Sequence, residues 1–268
     1  MEPAEAFHAS GSAVAVVGAG GKKTTLYALA ERLPRAVVTA TVRIPIFDHA
    51  VASVETTRDP VDAVATAPDD AFPIGVVPEQ EREDRYRGYD LDVVDELIAA
   101  HDGPVLIKAD GARLREFKAP NEREPRIPDA VDVVVPVVSA GVVGEPLTEA
   151  LVHRPERVAR VATAAGVDVA VGDEITPAVV GATLASAAGG LKRVPPDATV
   201  VPLVNQVDDV DRERAGRAIA EAFRTRHLGP DGGGSDPDGP AADVPYVVLA
   251  RMIDPTIVDT VPIGSDVR

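Results

Sequence analysis

The chain has 268 residues, enough to bury a full core in one large or two small domains. Its 45% hydrophobic content comes with only 3% aromatics, no tryptophan and no cysteine. The core is therefore expected to be aliphatic, and disulfides, thiolate metal sites and cysteine nucleophiles are excluded.

A formal net charge of −16 repels phosphate backbones and argues against nucleic acid as a partner. No run nears the ~18–20 unbroken apolar residues that span a bilayer, so no membrane partner is expected. The opening "MEPAEAFHASGS" lacks both a basic and an apolar region of the kind a signal peptide has, which points to the cytoplasm. The five histidines contain no i, i+4 pair, which speaks against a built-in zinc site. Only five of the 27 basic residues are lysine: Lys22, Lys23, Lys108, Lys118 and Lys192. A carboxylate-rich, lysine-poor surface suits a salt-rich cytosol, and a halophilic source is expected.

Along the chain, residues 13–17 (AVAVV) read as a short buried strand, and 22–33 follow with helical spacing until Pro34. "AVVTATV" (36–42) is a second strand, 91–100 an amphipathic helix and "PVLIKAD" (104–110) a third strand. "AVDVVVPVV" (130–138) follows, with Pro136 marking it as an edge or a strand end. "TVVPLVN" (199–205), a helix over about 209–228 and "PYVVLA" (245–250) complete the series. Apolar strands alternating with helices predict an α/β fold: a mostly parallel sheet with helices on both faces, P-loop NTPase-like. Residues 1–268 are expected to form one such domain, interrupted at about 229–243 (GPDGGGSDPDGPAAD) by a flexible surface insertion.

The chemistry gathers in "VVGAGGKKTTLYALA" (16–30). A loop that follows a buried strand and opens a helix aims backbone N–H groups and the helix dipole at one spot. Glycines let that backbone wrap phosphate oxygens, a lysine adds charge, and a Ser/Thr hydroxyl ligates Mg²⁺. Gly18, Ala19, Gly20, Gly21, Lys22, Lys23, Thr24 and Thr25 supply these parts, with the amides of 18–24 facing the phosphates. Lys22, which follows the glycine, is the first candidate for the phosphate lysine, and Lys23 is the alternative. Thr24 is the expected metal hydroxyl. The loop is shorter than G-x-x-x-x-G-K-[ST], since Val16 stands where the first glycine would fall, and it looks like the compact loop of Mur-type ligases. A dinucleotide fingerprint fails at Lys23 and lacks an acid after the second strand. A P-loop needs an aspartate at the tip of a buried strand for Mg²⁺, and Asp110 before Gly111 provides it. In "LVNQVDD", Asn205 and Asp208 stand where an N-K-x-D base-recognition motif has its Asn and Asp, with Gln206 replacing the lysine.

"VVGAGGKKTTL", "KADGARLREFKAPNEREPRIP", "LVHRPERV", "GGLKRVPPDATVVPLVNQVDD" and the closing "VVLAR" occur in an order and spacing that resembles the YqeC family, over about residues 12–252. That family is described as selenium-dependent molybdenum hydroxylase accessory, or selenium cofactor biosynthesis, proteins. Gly18, Gly20, Gly21, Lys22, Thr24 and Thr25 match in the loop, and Asp110, Gly111, Lys118, Pro120, Glu124 and Pro125 in the central motif. His153, Arg154, Asn205 and Asp208 match further on. Lys108 departs from the pattern, standing where the family usually has an acid, and Gln206 weakens a guanine preference.

The resemblance implies a protein serving maturation of a molybdenum hydroxylase, with a hydroxylase subunit or a cofactor precursor as partner. With the loop, it leads to the expectation of Mg²⁺-dependent ATP or GTP binding and of an NTPase or NTP-dependent transferase. Lys22 and Asp110 are the catalytic candidates. Lys118 and Arg154 suit an anionic substrate, while Glu124 or His153 suits proton movement. The rival expectations are a ligase or kinase acting on a small acidic substrate, and a nucleotide-gated carrier that does not hydrolyse.

Overall fold

Val14 and Val16 pack on one side of the first strand and Ala13, Ala15 and Val17 on the other, and all five are buried. A strand apolar on both faces needs cover on both faces, and the rest of the fold supplies it. The computed structural model describes residues 1–229 and 242–264. Its sheet contains β1 (Ala13–Gly18), β2 (Val37–Ala40), β3 (Ser53–Thr56), β4 (Ile74–Val77), β5 (Val105–Lys108), β6 (Val133–Ser139), β7 (Thr199–Val200), β8 (Leu203–Asn205), β9 (Tyr246–Arg251) and β10 (Thr256–Pro262). The order is β10-β9-β8-β6-β1-β5-β2-β4-β3, with the short β7 beside β6 ahead of β8. All pairs are parallel except β9–β10, which is antiparallel.

The helices are α1 (Pro3–Ala6), α2 (Lys22–Ala30), α3 (Pro60–Thr66), α4 (Leu91–Ala100), α5 (Pro155–Ala164), α6 (Pro177–Ala185) and α7 (Val210–Leu228). Leu26 and Leu29 of α2 cover Val14, Val16, Val38 and Leu106 on one face. Val64, Leu97, Val161, Val180, Ile219 and Phe223, from α3 to α7, cover the other. This is the expected α/β arrangement of a largely parallel sheet between helices. No helix among the described residues is long and apolar enough to cross a membrane.

Two features position the site. The chain fills one side of β1 with β2 to β5 and then passes to the other side for β6 to β10. The carboxyl ends of β1, β5 and β6 therefore open onto a topological switch point, where open α/β sheets bind ligands. Beyond that edge, Phe117–Lys118 pairs in parallel with Val152–His153 and walls the crevice.

Pro136 does not mark an edge. Strand β6 is interior, between β1 and β8. The missing N–H falls between the pairs Val134–Val200 and Val137–Leu203, where β7 gives way to β8, so the neighbour is interrupted at that point. Residues 199–205 form two short strands instead of one, with Pro202 at the break opposite Pro136. Strands β3, β4 and β10 and helices α1, α3, α5 and α6 are additions to the expected elements. The insertion expected at about 229–243 lies, except for its ends, outside the described residues.

Candidate functional site

The glycine loop turns directly off β1. Gly18 has φ 89, and a Cβ there would run into the Val137 carbonyl of β6. Gly21, at φ 129, packs so closely on Asn205 that a side chain would displace it. The first three amides of the loop are committed to the protein: Gly18 donates to Asp110 Oδ2 (2.8 Å), Ala19 to Val137 O (2.8 Å) and Gly20 to Arg115 O (3.1 Å). The amides of residues 21–24 have no protein acceptor among the described residues; those of 22–24 are the orphan donors of the first turn of α2. The stretch available to an anion is thus 21–24, narrower than the expected 18–24. Thr25 returns both its amide (2.9 Å) and its hydroxyl (3.1 Å) to Gly21 O, which fixes the turn. Lys23 and Thr24 line an open cleft of about 660 Å³ together with Tyr27, His49 and Met252.

Lys22 points the other way. Its Nζ donates to Gly18 O and lies 2.8 Å from Asp110 Oδ1, a close ionic contact without hydrogen-bond alignment. Lys118 Nζ sits 3.0 Å from Asp110 Oδ2 and donates to Gly111 O (2.6 Å). Lys108 Nζ donates to Asp110 O (2.6 Å) and Arg43 O (3.0 Å). All three lysines are buried, and Asp110 is 1% exposed. Burial alone would raise the Asp110 pKa, but Lys22 and Lys118 outweigh it and hold the carboxyl at about 2. Burial, with the Lys22 charge second, brings Lys108 down to about 7, and burial lowers Lys22 in the same direction.

Glu124 extends this cluster outward. It accepts from Lys118 Nζ (3.1 Å), Gly111 N (3.2 Å) and Arg154 Nη1 (3.3 Å). Burial opposes its ionisation, yet Lys118 keeps its pKa below the usual value. Arg154, left-handed at φ 63, is the N-cap of α5. His153 pairs in register with Lys118, and burial followed by the Arg154 and Lys118 charges lowers it to about 4, so it is neutral at pH 7. The structure thus brings together Gly18, Lys22, Asp110, Lys118, Glu124, His153 and Arg154. Beside Asp110, a cavity of about 20 Å³, lined by Gly18, Phe117, Lys118, Pro120 and Pro125, has room for a single water molecule.

Asn205 and Asp208 are placed apart from this cluster. Asn205 is buried, donating Nδ2 to Gly20 O (2.8 Å) and accepting from Met252 N (2.9 Å) through Oδ1. Asp208 is ion-paired to Arg212 on the first turn of α7. Gln206 donates to Glu116 Oε2 (2.6 Å) and accepts from Ser139 Oγ (2.8 Å), tying the 111–118 loop to the ends of β6 and β8. Neither Glu116 nor Ser139 stands out in the sequence. Lys108 stands out only through the scarcity of lysine.

The residues present do not fit Mg²⁺ at Asp110. Thr24 opens to the cleft, whereas Asp110 faces the small buried cavity. No group of three or more His, Asp or Glu gathers among the described residues. Both Asp110 oxygens are already engaged by cations, which repel a divalent ion.

A largely parallel α/β sheet with a glycine loop at its switch point defines a class of protein into which a P-loop architecture fits. The chain belongs to the YqeC family: the family model described as "YqeC protein" matches residues 14–156. The chain is 30% identical over 146 residues to the "Uncharacterized protein YqeC" of Escherichia coli (strain K12), a match covering 53% of this chain and 57% of that protein. It thus spans little more than half the length of that relative. The stretch matched by the family runs from β1 to the start of α5. It contains the glycine loop, Asp110, Lys118, Glu124, His153 and Arg154, and leaves Asn205 and Asp208 outside.

Proposed function

We propose that this protein binds a nucleoside triphosphate, ATP or GTP, with its phosphates at the amides of residues 21–24 and at Lys22, and that it is an NTPase or NTP-dependent transferase. Its setting is the maturation of a selenium- and molybdenum-dependent hydroxylase, with a hydroxylase subunit or a cofactor precursor as the partner. One observation carries the phosphate assignment. In a chain with net charge −16 and five lysines, Lys22, Lys108 and Lys118 converge, buried, on the carboxyl end of β1 and β5. Burial disfavours the charged form of lysines gathered round one carboxylate, lowering Lys22 and Lys108, and an anionic ligand favours their charged form.

Lys22 supplies a charge that travels to the phosphates, while the helix amides hold the oxygens in place. Lys118 and Arg154 hold an anionic acceptor group against Glu124, and neutral His153 is available to take a proton. A second reading, a nucleotide-gated carrier with little turnover, is favoured by the state of the carboxylates: both Asp110 and Glu124 are tied to cations, so neither is free to activate water.

Calorimetric titration with ATP, GTP and their diphosphates in high salt tests the assignment. Wild type is expected to bind a triphosphate, and Lys22→Ala to weaken it at least about tenfold, the scale of one charge-assisted phosphate contact. Equal affinity of variant and wild type removes the loop from the function. Single-turnover phosphate release then separates the enzyme from the carrier.

A further inference from the structure

We infer that Lys22 neutralises a polyphosphate at the amides of residues 21–24 without a divalent cation, and that Asp110, held by Lys118 and the Gly18 amide, is a resident counter-ion from which the incoming phosphate takes Lys22. The inference rests on the phosphate assignment above and specifies how that site neutralises its ligand.

A protein that holds phosphates beside a carboxylate usually needs a cation between them, because the two anions repel, and Mg²⁺ fills that place through carboxylate and phosphate oxygens. Here the place is taken. Lys22 Nζ stands 2.8 Å from Oδ1 of Asp110 and Lys118 Nζ 3.0 Å from Oδ2, while the Gly18 amide donates to the same Oδ2 at 2.8 Å. Lys108 approaches the Asp110 carbonyl from the third side, at 2.6 Å. With Arg154 on Glu124, four basic side chains surround two carboxylates, and both carboxylates are already engaged.

The two oxygens of Asp110 are not equivalent. Oδ2 accepts a backbone amide and lies against Lys118, whereas Oδ1 has the Lys22 contact and no aligned hydrogen bond. Lys118 is also held by Gly111 O and Glu124, whereas Lys22 has only Gly18 O besides Asp110, so Lys22 is the ligand that can leave. It follows the last glycine of the loop, and its own N–H is one of the amides without a protein acceptor among the described residues, so a phosphate seated there lies within reach of its flexible stem. When Lys22 turns to the phosphate, Asp110 keeps Lys118 and the Gly18 amide and stays paired. Asp110 is on this account a positioning residue. It holds the lysine ready and competes with the ligand for it.

Titrating inorganic tripolyphosphate and ATP into the full-length protein, once with EDTA and once with excess Mg²⁺, tests this. The two dissociation constants are expected to agree within about threefold for each ligand. Asp110→Asn, which keeps an acceptor for the Gly18 amide but removes the competing charge, is expected to bind tripolyphosphate in EDTA as tightly as wild type or more tightly. Binding by wild type that is tenfold or more weaker in EDTA overturns the inference and leaves the phosphate assignment standing. The same holds if folded Asp110→Asn loses tenfold in affinity. No binding in either buffer overturns both.

Discussion

Lys108 donates to two main-chain carbonyls, and its neighbours Lys22 and Lys118 carry the same charge in a buried space. Burial first and Lys22 second bring its pKa to about 7, against 10.5 for the free side chain. Between those values the unfolded chain holds a proton that the folded chain has released, so stability rises with pH across that window and is lost as pH falls through 7. One such group contributes at most about 1.4 kcal/mol per pH unit. Lys22, lowered by burial, pulls in the same direction. Above pH 10 the phenol of Tyr86, raised by burial to about 12, works the other way. The urea midpoint is therefore expected to climb between pH 7 and pH 9.5, and Lys108→Met to flatten the climb without abolishing it. A wild-type midpoint that stays level across this range contradicts the lowering of the Lys108 and Lys22 pKa values by burial.

Three element ends meet at Asn205. It closes β8, accepts the Met252 amide just past β9, and donates to Gly20 of the loop after β1. Asn205→Ala leaves a buried carbonyl and a buried amide without partners, at about 1–3 kcal/mol each. A loss of about 2–4 kcal/mol in chemical denaturation is expected, against under about 0.5 kcal/mol for Asp208→Ala, whose ion pair with Arg212 is solvent-exposed. A similar small effect at both positions contradicts the clamp. The contrast bears on what was legible in the sequence. An Asn and an Asp three apart after an apolar strand match a base-recognition pattern, but the pattern does not say which way a side chain turns. Asn205 can turn inward because Gly21 has no side chain: a Cβ at that position would run into the Asn205 amide. Strand β1 and helix α7 were readable because an apolar run and helical spacing are local signals, and in the structure Asp209 caps that helix. Pro136 was misread because its cost depends on what the neighbouring strand does at that level, and that is a long-range fact. Helix α6, apolar almost all round, carries no period to read.

At the scale of the molecule, glycines, lysines and Asp110 could be assigned to one site because glycine loops and strand-end aspartates have fixed places in parallel sheets. That Lys108 and Lys118 would close on the same carboxylate could not be read, since it depends on β5 lying against β1 and on the paired segment at Phe117–Lys118 folding back over the crevice. This buried positive cluster sits inside a chain of net charge −16, so the surface and the site have opposite electrostatic requirements. The 43 carboxylates repel one another across a surface on which most basic partners are arginines already in ion pairs, such as Arg217 with Glu213 and Arg224 with Glu221. Salt relieves that repulsion, since the screening length falls from ~10 Å at 0.1 M to ~3 Å at 1 M. Contacts inside the lysine cluster lie closer together than either length and are shielded from solvent, so they lose little. The melting temperature is therefore expected to rise by several degrees between 0.1 M and 1 M KCl, on the order of 1 kcal/mol for a chain this size, and to level off beyond that. A melting temperature that falls with added salt means that exposed ion pairs, and not self-repulsion, govern the stability of this surface.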